Sequence, residues 1–259
     1  MYRNNDLILS FSDLLKKFGE SGDIGFCSFQ TVNNYLLPIQ QEKLESIIGA
    51  RFEQLLESGS FISIAVAYRN PIIDFIDKRE GSIPDYTLWN DYAQEYNRLN
   101  QILNQIAQSL AISYDGIPLT ATIGGVIDKV QHVHDYFGMV VSHRVVAELA
   151  GVGWRGKNQL IVHNRFSCAI RFSSVIVSIP LEHGKQLESK CGACTACEDA
   201  CTFIKYRNKL PDYRENCRRY ILFLKSKGIE KDVCGKCVKA CYRNSLLKNQ
   251  FQLKDPGHL

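Results

Sequence analysis

Eight of the ten cysteines in this 259-residue chain lie between positions 191 and 241. The first four are spaced C-x2-C-x2-C-x3-C and the last three C-x2-C-x3-C, with one cysteine alone between the motifs. In chain order they are Cys191, Cys194, Cys197, Cys201, Cys217, Cys234, Cys237 and Cys241. Two residues between ligands let a tight turn aim successive thiolates at one inorganic core, which is the iron–sulfur spacing of two-cluster ferredoxins.

The spacing also predicts which thiolates share a cluster. In two-cluster ferredoxins the fourth cysteine of such a run reaches the other core. One 4Fe–4S cluster is therefore expected on Cys191, Cys194, Cys197 and Cys241. The other 4Fe–4S cluster is expected on Cys201, Cys217, Cys234 and Cys237.

Zinc and disulfides are the competing interpretations of these cysteines. A structural zinc ion closes its shell with four ligands and would use two distant C-x2-C pairs, which gives no reason for the longer run. Iron–sulfur is favoured over zinc, and zinc over disulfides. Thr202 and Tyr242 stand where the bacterial run has proline, a change that alters the turn more than the ligation. Cys27 and Cys168 are interpreted as buried structural residues.

The length allows one sizeable core and a smaller cluster-bearing module. We expect an α/β (α+β) core over residues 1–183, a ferredoxin-like two-cluster domain over 184–248 and a tail over 249–259. The N-terminus shows no apolar run followed by a cleavage site, and the longest apolar run is too short to span a bilayer. The expectation is a cytoplasmic monomer, in a compartment that keeps cysteines reduced.

The net charge of +4 is unevenly distributed. Residues 201–250 carry 13 Lys or Arg against 4 Asp or Glu. Such an excess is typical of nucleic-acid binding proteins. It would equally offset the negative charge of thiolate-bound clusters and raise their reduction potentials. Both interpretations stay open.

Hydrophobic periodicity predicts the elements of the core. A first helix is expected with a cap at Ser10 or Ser12 and an end at Gly19, and residues 69–88 have no clear period and are expected to form a loop. The other predicted helices are Gln40–Glu57, Trp89–Leu110, His143–Ala150 and Pro211–Lys227. The predicted strands are Asp23–Phe29, Phe61–Tyr68, Gln159–His163 and Phe172–Pro180.

Two further stretches contain candidate site residues. His132, His134, Asp135 and His143 could supply acid–base groups or metal ligands, or be hydrogen-bonded loop residues. The second stretch has three glycines that permit close approach of backbone to a ligand, and side chains that can meet phosphate or amide groups. Its residues are Gly151, Gly153, Trp154, Arg155, Gly156, Lys157 and Asn158. It follows a helix, whereas a dinucleotide fingerprint follows a strand.

The order of these features resembles a known family. Ser142-His143-Arg144 precedes the segment 147–158, a strand ending in Ile179-Pro180 follows, and the two cysteine motifs with a single cysteine between them come last. This joint pattern resembles the epoxyqueuosine reductase family and its relatives with a double 4Fe–4S binding domain. The resemblance covers roughly residues 60–245 and is strongest over 143–241.

The resemblance implies a cobalamin-dependent reductase. In that family cobalamin lies between the α/β core and the ferredoxin-like module, and one cluster passes electrons to cobalt. The reduced cobalt removes oxygen from the epoxide of a modified tRNA nucleoside. The implied cobalamin contacts are Ser142, His143, Arg144, Gly151, Gly153, Trp154, Gly156, Lys157 and Asn158.

The resemblance also bears on the proton donor and the partners. Phe137 falls near the place of the family's proton-donating aspartate, which leaves Asp135 and His143 as candidates. The partners would be tRNA and a ferredoxin- or flavodoxin-like electron donor. We expect no counterpart of the C-terminal helical-repeat extension that some members carry and that would help bind tRNA.

Two other functions fit the cysteine motifs. The chain could be an electron-transfer protein whose clusters serve a partner enzyme, or an activator that reduces the corrinoid of another protein. About 190 residues before the motifs are more than two clusters require, which favours a ligand-binding core. A bound corrinoid and turnover of an organic substrate separate the three functions.

Overall fold

A computed structural model of the chain describes residues 4–69, 71–121, 141–210 and 212–244. The strands in these ranges are β1 (Gly22–Ser28), β2 (Ser60–Ala67), β3 (Arg79–Glu80), β4 (Ile83–Pro84), β5 (Ile117–Leu119), β6 (Trp154–Arg155), β7 (Ile161–Val162) and β8 (Ile170–Val177). The α-helices are α1 (Asn4–Phe18), α2 (Phe29–Tyr35), α3 (Pro38–Ile48), α4 (Phe52–Ser58), α5 (Tyr86–Ser113), α6 (His143–Leu149), α7 (Ala196–Asp199), α8 (Thr202–Lys205), α9 (Tyr213–Ser226) and α10 (Lys236–Asn244).

The core contains a four-stranded antiparallel sheet in the order β1-β2-β8-β5. β2 is an interior strand, and all eight of its residues are buried. Its long ladder with β8 runs from the pair Ser60 and Val177 to the pair Ala67 and Ile170. A strand that is buried along its whole length needs cover on both faces. The mixed helix-and-sheet architecture predicted from the sequence is confirmed.

Helices cover the two faces of the sheet. Because side chains alternate along a strand, successive residues of β2 enter different hydrophobic clusters. Ile62, Ile64 and Val66 pack in the cluster that includes α1 and α5. Phe61 and Ala65 pack in the cluster that includes α2, α3, α4 and α6. The sheet is therefore the middle layer of three.

Several predicted element boundaries were wrong. The single helix expected over Gln40–Glu57 is α3, a 3-10 turn at Gly49–Arg51 and α4. Gly49 interrupts it because its φ of +63° lies in the left-handed region, outside the α-helical range. The expected loop 69–88 contains a 3-10 helix at Ile72–Phe75 and the hairpin of β3 and β4.

Other elements differ from the predicted ones in length or position, and one was not predicted. The strand expected over Gln159–His163 is limited to β7, and the one over Phe172–Pro180 is shifted to β8. The long helix begins earlier, because Asp85 accepts the backbone N–H of Leu88 as its N-cap. The short helix α2 was not predicted; Ser28 caps it by accepting the Thr31 N–H. No described helix has the length and apolar character needed to cross a bilayer.

Residues 184–244, as far as they are described, form a cysteine-rich segment built from α7 to α10 and connecting loops. The segment packs on the α5 side of the sheet, where Leu224, Ile229 and Val238 join the same cluster as Trp89. The Trp89 indole N–H donates to the Cys234 carbonyl at 2.7 Å, which fixes the second cysteine motif against α5. A ferredoxin-like architecture for this segment stays a prediction.

Candidate metal centre

One cavity lies between the cysteine-rich segment and the glycine-containing stretch of the core. Four thiols line it: Cys191, Cys194, Cys197 and Cys241. They come together because α10, which carries the last of them, packs against α7. Burial raises the pKa of Cys197 to about 11, and the nearby thiols of Cys241, Cys191 and Cys194 add to that shift. The structure thus brings together the four cysteines expected at the first cluster.

The other four cysteines form a second group around the N-terminal end of α10. Burial is the largest cause that raises the pKa of Cys237 well above its usual value. Repulsion from Cys234, Cys217 and Cys201 raises it further. Burial likewise raises the pKa of Cys217 to about 11 and that of Cys234 to about 12. These are the cysteines expected at the second cluster, and the helix α9 supplies the solitary one, as the sequence predicted.

The two thiol groups meet on one helix. Cys237 and Cys241 are four residues apart on α10, so they lie about one turn, roughly 6 Å, apart along its axis. Cys197 of the first group also contributes to the raised pKa of Cys237 in the second. The two groups are therefore neighbours.

Charged and polar groups surround the first cavity. Lys157 donates from Nζ to the Cys194 carbonyl at 2.9 Å, and Lys190 Nζ lies 5.5 Å from the centroid of the Trp154 ring. Both lysines and Trp154 line the cavity. Trp154 Nε1–H is buried and has no hydrogen-bond partner within the described ranges. A donor in this situation fits a site whose acceptor arrives with the bound group.

Ser167 and Cys168 contact the first thiol group, which the sequence did not reveal. Ser167 Oγ lies 3.2 Å from Cys241 Sγ, and Cys168 also hydrogen-bonds this sulfur. Hydrogen bonds from these donors lower the pKa of the Cys241 thiol to about 7, and the bond from Cys168 has the largest effect. Cys168 was expected to be a purely structural residue. It is buried, and it also contacts a predicted cluster ligand.

The thiol arrangement bears on the rival interpretations. All ten cysteines are free. In the ranges that the structure describes, no three His, Cys, Asp or Glu side chains are grouped to hold a single metal ion. Around one zinc ion, Zn–S bonds of about 2.3 Å place sulfurs roughly 4 Å apart. A four-iron core is larger and takes more widely spaced thiolates, and an iron–sulfur cluster at the four thiols of the cavity stays a prediction.

The residues expected to contact cobalamin are mostly engaged within the protein. His143 Nε2–H donates to the Thr120 carbonyl, and Nδ1 accepts from Ser174 Oγ, both at 2.9 Å. Burial lowers the pKa of His143 to about 4, so its imidazole is neutral near pH 7. Arg144 donates to the Gln159 carbonyl at 2.9 Å. Ser142 stands at the N-cap position of α6 without a side-chain capping bond.

The glycines of the same stretch are packed against backbone. A Cβ on Gly151 would lie 2.6 Å from the Lys185 carbonyl oxygen, and one on Gly153 would lie 2.6 Å from that of Val162. Their small size is thus required by the chain's own packing. Asn158 donates to Cys168 Sγ at 3.4 Å and, like Gly156, lines the thiol cavity. The candidates His132, His134 and Asp135 lie outside the described residues.

No protein-family model matches the chain, whereas curated proteins do. An epoxyqueuosine reductase of Bacillus anthracis is 26% identical over 189 residues, covering 69% of this chain and 47% of the relative. The chain is thus similar in sequence to curated epoxyqueuosine reductases. A second epoxyqueuosine reductase, from Staphylococcus aureus, is 28% identical over 215 residues, covering 77% of this chain and 53% of the relative. The resemblance drawn from the sequence motifs is confirmed.

The chain spans about half the length of the curated relatives it matches. Solved structures align more loosely. A crystal structure of an epoxyqueuosine reductase with an epoxyqueuosine-modified tRNA-Tyr stem loop aligns with 77% of this chain and 52% of its own, at 22% identity and a TM-score of 0.43. The fold given above accordingly rests on the strand pairing and packing of this chain itself.

Proposed function

We propose that this chain is an iron–sulfur-dependent reductase of the epoxyqueuosine reductase type, acting on a queuosine-related nucleoside of tRNA. The observation that carries the proposal is the cavity lined by four thiols of the predicted first cluster. The similarity to curated epoxyqueuosine reductases supports the reaction class. An oxidoreductase of this kind removes an epoxide oxygen, which requires electrons and protons at one site.

Two 4Fe–4S clusters are part of the proposal. The first would be held by Cys191, Cys194, Cys197 and Cys241. The second would be held by Cys201, Cys217, Cys234 and Cys237. When bound, such clusters supply single electrons. The protein holds the two thiol groups side by side on α10, which keeps the electron path between them short.

Cationic groups of the chain would tune the first cluster. Lys157 is fixed by its bond to the Cys194 carbonyl, and Lys190 stands over Trp154 at the same cavity. Positive charge beside a cluster stabilises its more negative, reduced form. Lys157 and Lys190 lie outside residues 201–250, so both interpretations of the charge excess in that stretch stay open.

The proton donor is proposed to be Asp135 rather than His143. The imidazole of His143 is neutral near pH 7, and both of its nitrogens are hydrogen-bonded. It is therefore better suited to holding α6 on the sheet through Ser174 than to donating a proton. Asp135 remains a proposal drawn from the family resemblance.

Cobalamin is proposed as a further cofactor because of the family resemblance alone. The described residues do not by themselves form a corrinoid site. His143, Arg144 and Asn158 use polar atoms in internal bonds, and Gly151 and Gly153 are packed against backbone. These internal bonds and packing contacts position the glycine-containing stretch beside the thiol cavity.

The proposed partners are tRNA and a one-electron donor. A tRNA stem loop is present in the crystal structure of one epoxyqueuosine reductase. In this chain, exposed cations such as Lys205, Lys209, Arg214 and Lys227 lie in the cysteine-rich segment, where a nucleic-acid backbone or an acidic protein could bind.

The decisive experiment uses the full chain, reconstituted anaerobically with iron and sulfide. We expect about eight iron atoms per chain, as two 4Fe–4S clusters require. The loaded protein is then offered tRNA bearing epoxyqueuosine, with and without cobalamin, and the nucleosides are analysed by mass spectrometry.

Conversion of epoxyqueuosine to queuosine would confirm the proposal, and its dependence on cobalamin would confirm the second cofactor. Clusters that form without any turnover would instead identify an electron-transfer protein. Zinc in place of iron would overturn the proposal as a whole.

A further inference from the structure

A turn of the core reaches across to the first thiol group. Ser167 is fully buried, and its hydroxyl lies 3.2 Å from Cys241 Sγ, 74 residues away in the chain. The neighbouring Cys168 hydrogen-bonds the same sulfur through both its backbone amide and its thiol. One sulfur thus faces several donors from a single turn. Donors to a cysteine sulfur are one of the means by which proteins set the potential of an iron–sulfur cluster.

The turn is held rigidly. Ser167 has a φ of +54°, a left-handed conformation that costs a non-glycine residue on the order of 1 kcal/mol. Two backbone hydrogen bonds of 2.9 Å join it to His163, one in each direction. His163 Nδ1 accepts the backbone N–H of Arg165, and Nε2 bonds Asp23 Oδ2 at 2.8 Å. A strained residue that its surroundings hold in place indicates a functional constraint.

We propose that Ser167 is a positioning residue for the first cluster, whose hydroxyl donates a hydrogen bond to the Cys241 thiolate and raises the cluster's reduction potential. This inference rests on the proposed function, because it requires that Cys241 be a cluster ligand. The direction follows from charge. The reduced cluster carries one more negative charge than the oxidised one, so a donor to its thiolate stabilises the reduced form more.

The test compares two substitutions of one residue in the reconstituted full chain. Ser167→Ala removes the hydroxyl and keeps the backbone strain, whereas Ser167→Gly removes the hydroxyl and relieves the strain. Ser63→Ala is the matched control, because Ser63 is an equally buried serine on β2 whose hydroxyl has no partner among the described residues. Redox titrations followed by electron paramagnetic resonance give the potential of each cluster.

In both Ser167 variants we expect one of the two potentials to fall and the other to stay at its wild-type value. The expected fall corresponds to as much as about a tenfold change in the ratio of reduced to oxidised cluster, which is about 59 mV for one electron. Ser63→Ala should leave both potentials unchanged. The glycine variant keeps the test valid even if the alanine variant folds poorly.

Two results would overturn the inference, and they are distinguishable. If wild-type protein holds both clusters and both Ser167 variants retain both potentials, Ser167 has no such role, and the proposed function stands. A fall confined to the alanine variant would have the same meaning, since the glycine variant lacks the hydroxyl as well. If wild-type protein takes up no iron–sulfur cluster, the proposed function and this inference fail together.

Discussion

The sheet core and the cysteine-rich segment 184–244 are stabilised in different ways. In the core, β2 is buried along its whole length, and large side chains such as Phe61, Trp89 and Trp154 are fully buried. In the segment, two of the four helices have only four residues each, and few apolar side chains are buried. Since buried apolar area is the main favourable term in folding, we expect the core to fold without a ligand and the segment to depend on one.

The protonation of the thiols indicates how metal binding would affect folding of the cysteine-rich segment. Five of the eight cysteines in the segment have shifted pKa values, and for four of them burial is the largest cause and raises the value. Binding of the proposed clusters would displace thiol protons and cross-link α7, α9 and α10. Metal binding and folding of the segment should therefore be coupled.

Removal of iron should have the largest effect. Anaerobic treatment of the loaded chain with an iron chelator is expected to abolish amide-exchange protection around residues 191–201 and 234–241, while β2 and β8 stay protected. Hydrogen exchange followed by mass spectrometry measures both regions in one sample. Equal loss of protection in the two regions would show that they fold as one unit.

Single cysteine substitutions should divide the iron between two sites. Cys237→Ser is expected to lose the second 4Fe–4S cluster and with it about half of the iron, because the first cluster with its own four ligands would remain. Cys27→Ser is the matched control, as Cys27 is an equally free, buried cysteine on β1. Iron and sulfide are counted after identical reconstitution. Loss of all iron in Cys237→Ser would show that the clusters assemble only together.

A cavity in the sheet should destabilise the core. Phe61 is fully buried on β2 and stacks on Phe29 with ring centroids 5.4 Å apart. Phe61→Ala is expected to lower the free energy of unfolding by about 3–5 kcal/mol. Ser63→Ala on the same strand should change it by less than about 1 kcal/mol, because the hydroxyl has no partner within the described residues. Urea denaturation of the iron-free chain compares the two, and similar losses would contradict this account.

The smallest effect concerns pH. Burial raises the pKa of Cys27 to about 12 from an ordinary value near 9. The folded chain thus favours the neutral thiol, and the stability this contributes is complete below pH 9 and is lost as pH rises towards 12. Cys27→Ala should reduce the fall in unfolding free energy above pH 9, by at most about 1.4 kcal/mol per pH unit. Urea midpoints at pH 8, 9 and 10 measure it, and parallel curves for both proteins would refute it.

Some of these features could be predicted from short-range patterns. Periodicity located β2 and α5 because a buried strand and an amphipathic helix repeat within a few residues. It joined α3 and α4 into one helix, because the apolar repeat continues through Gly49 and only the backbone conformation breaks it. The short helix α2 was missed for a related reason, since one capping serine and two turns give little periodic signal.

The sequence alone predicted Cys191, Cys194 and Cys197 as one group, because C-x2-C spacing is a local property of tight turns, whereas Cys241 joins them only through the packing of α10 against α7. It also determined the family resemblance. Tertiary packing decided what surrounds the thiols. The bond from Ser167 to Cys241 spans 74 residues, and the one from Trp89 to Cys234 spans 145. Contacts between such distant residues exist only after the sheet, α5 and α10 have packed, and no local pattern specifies them.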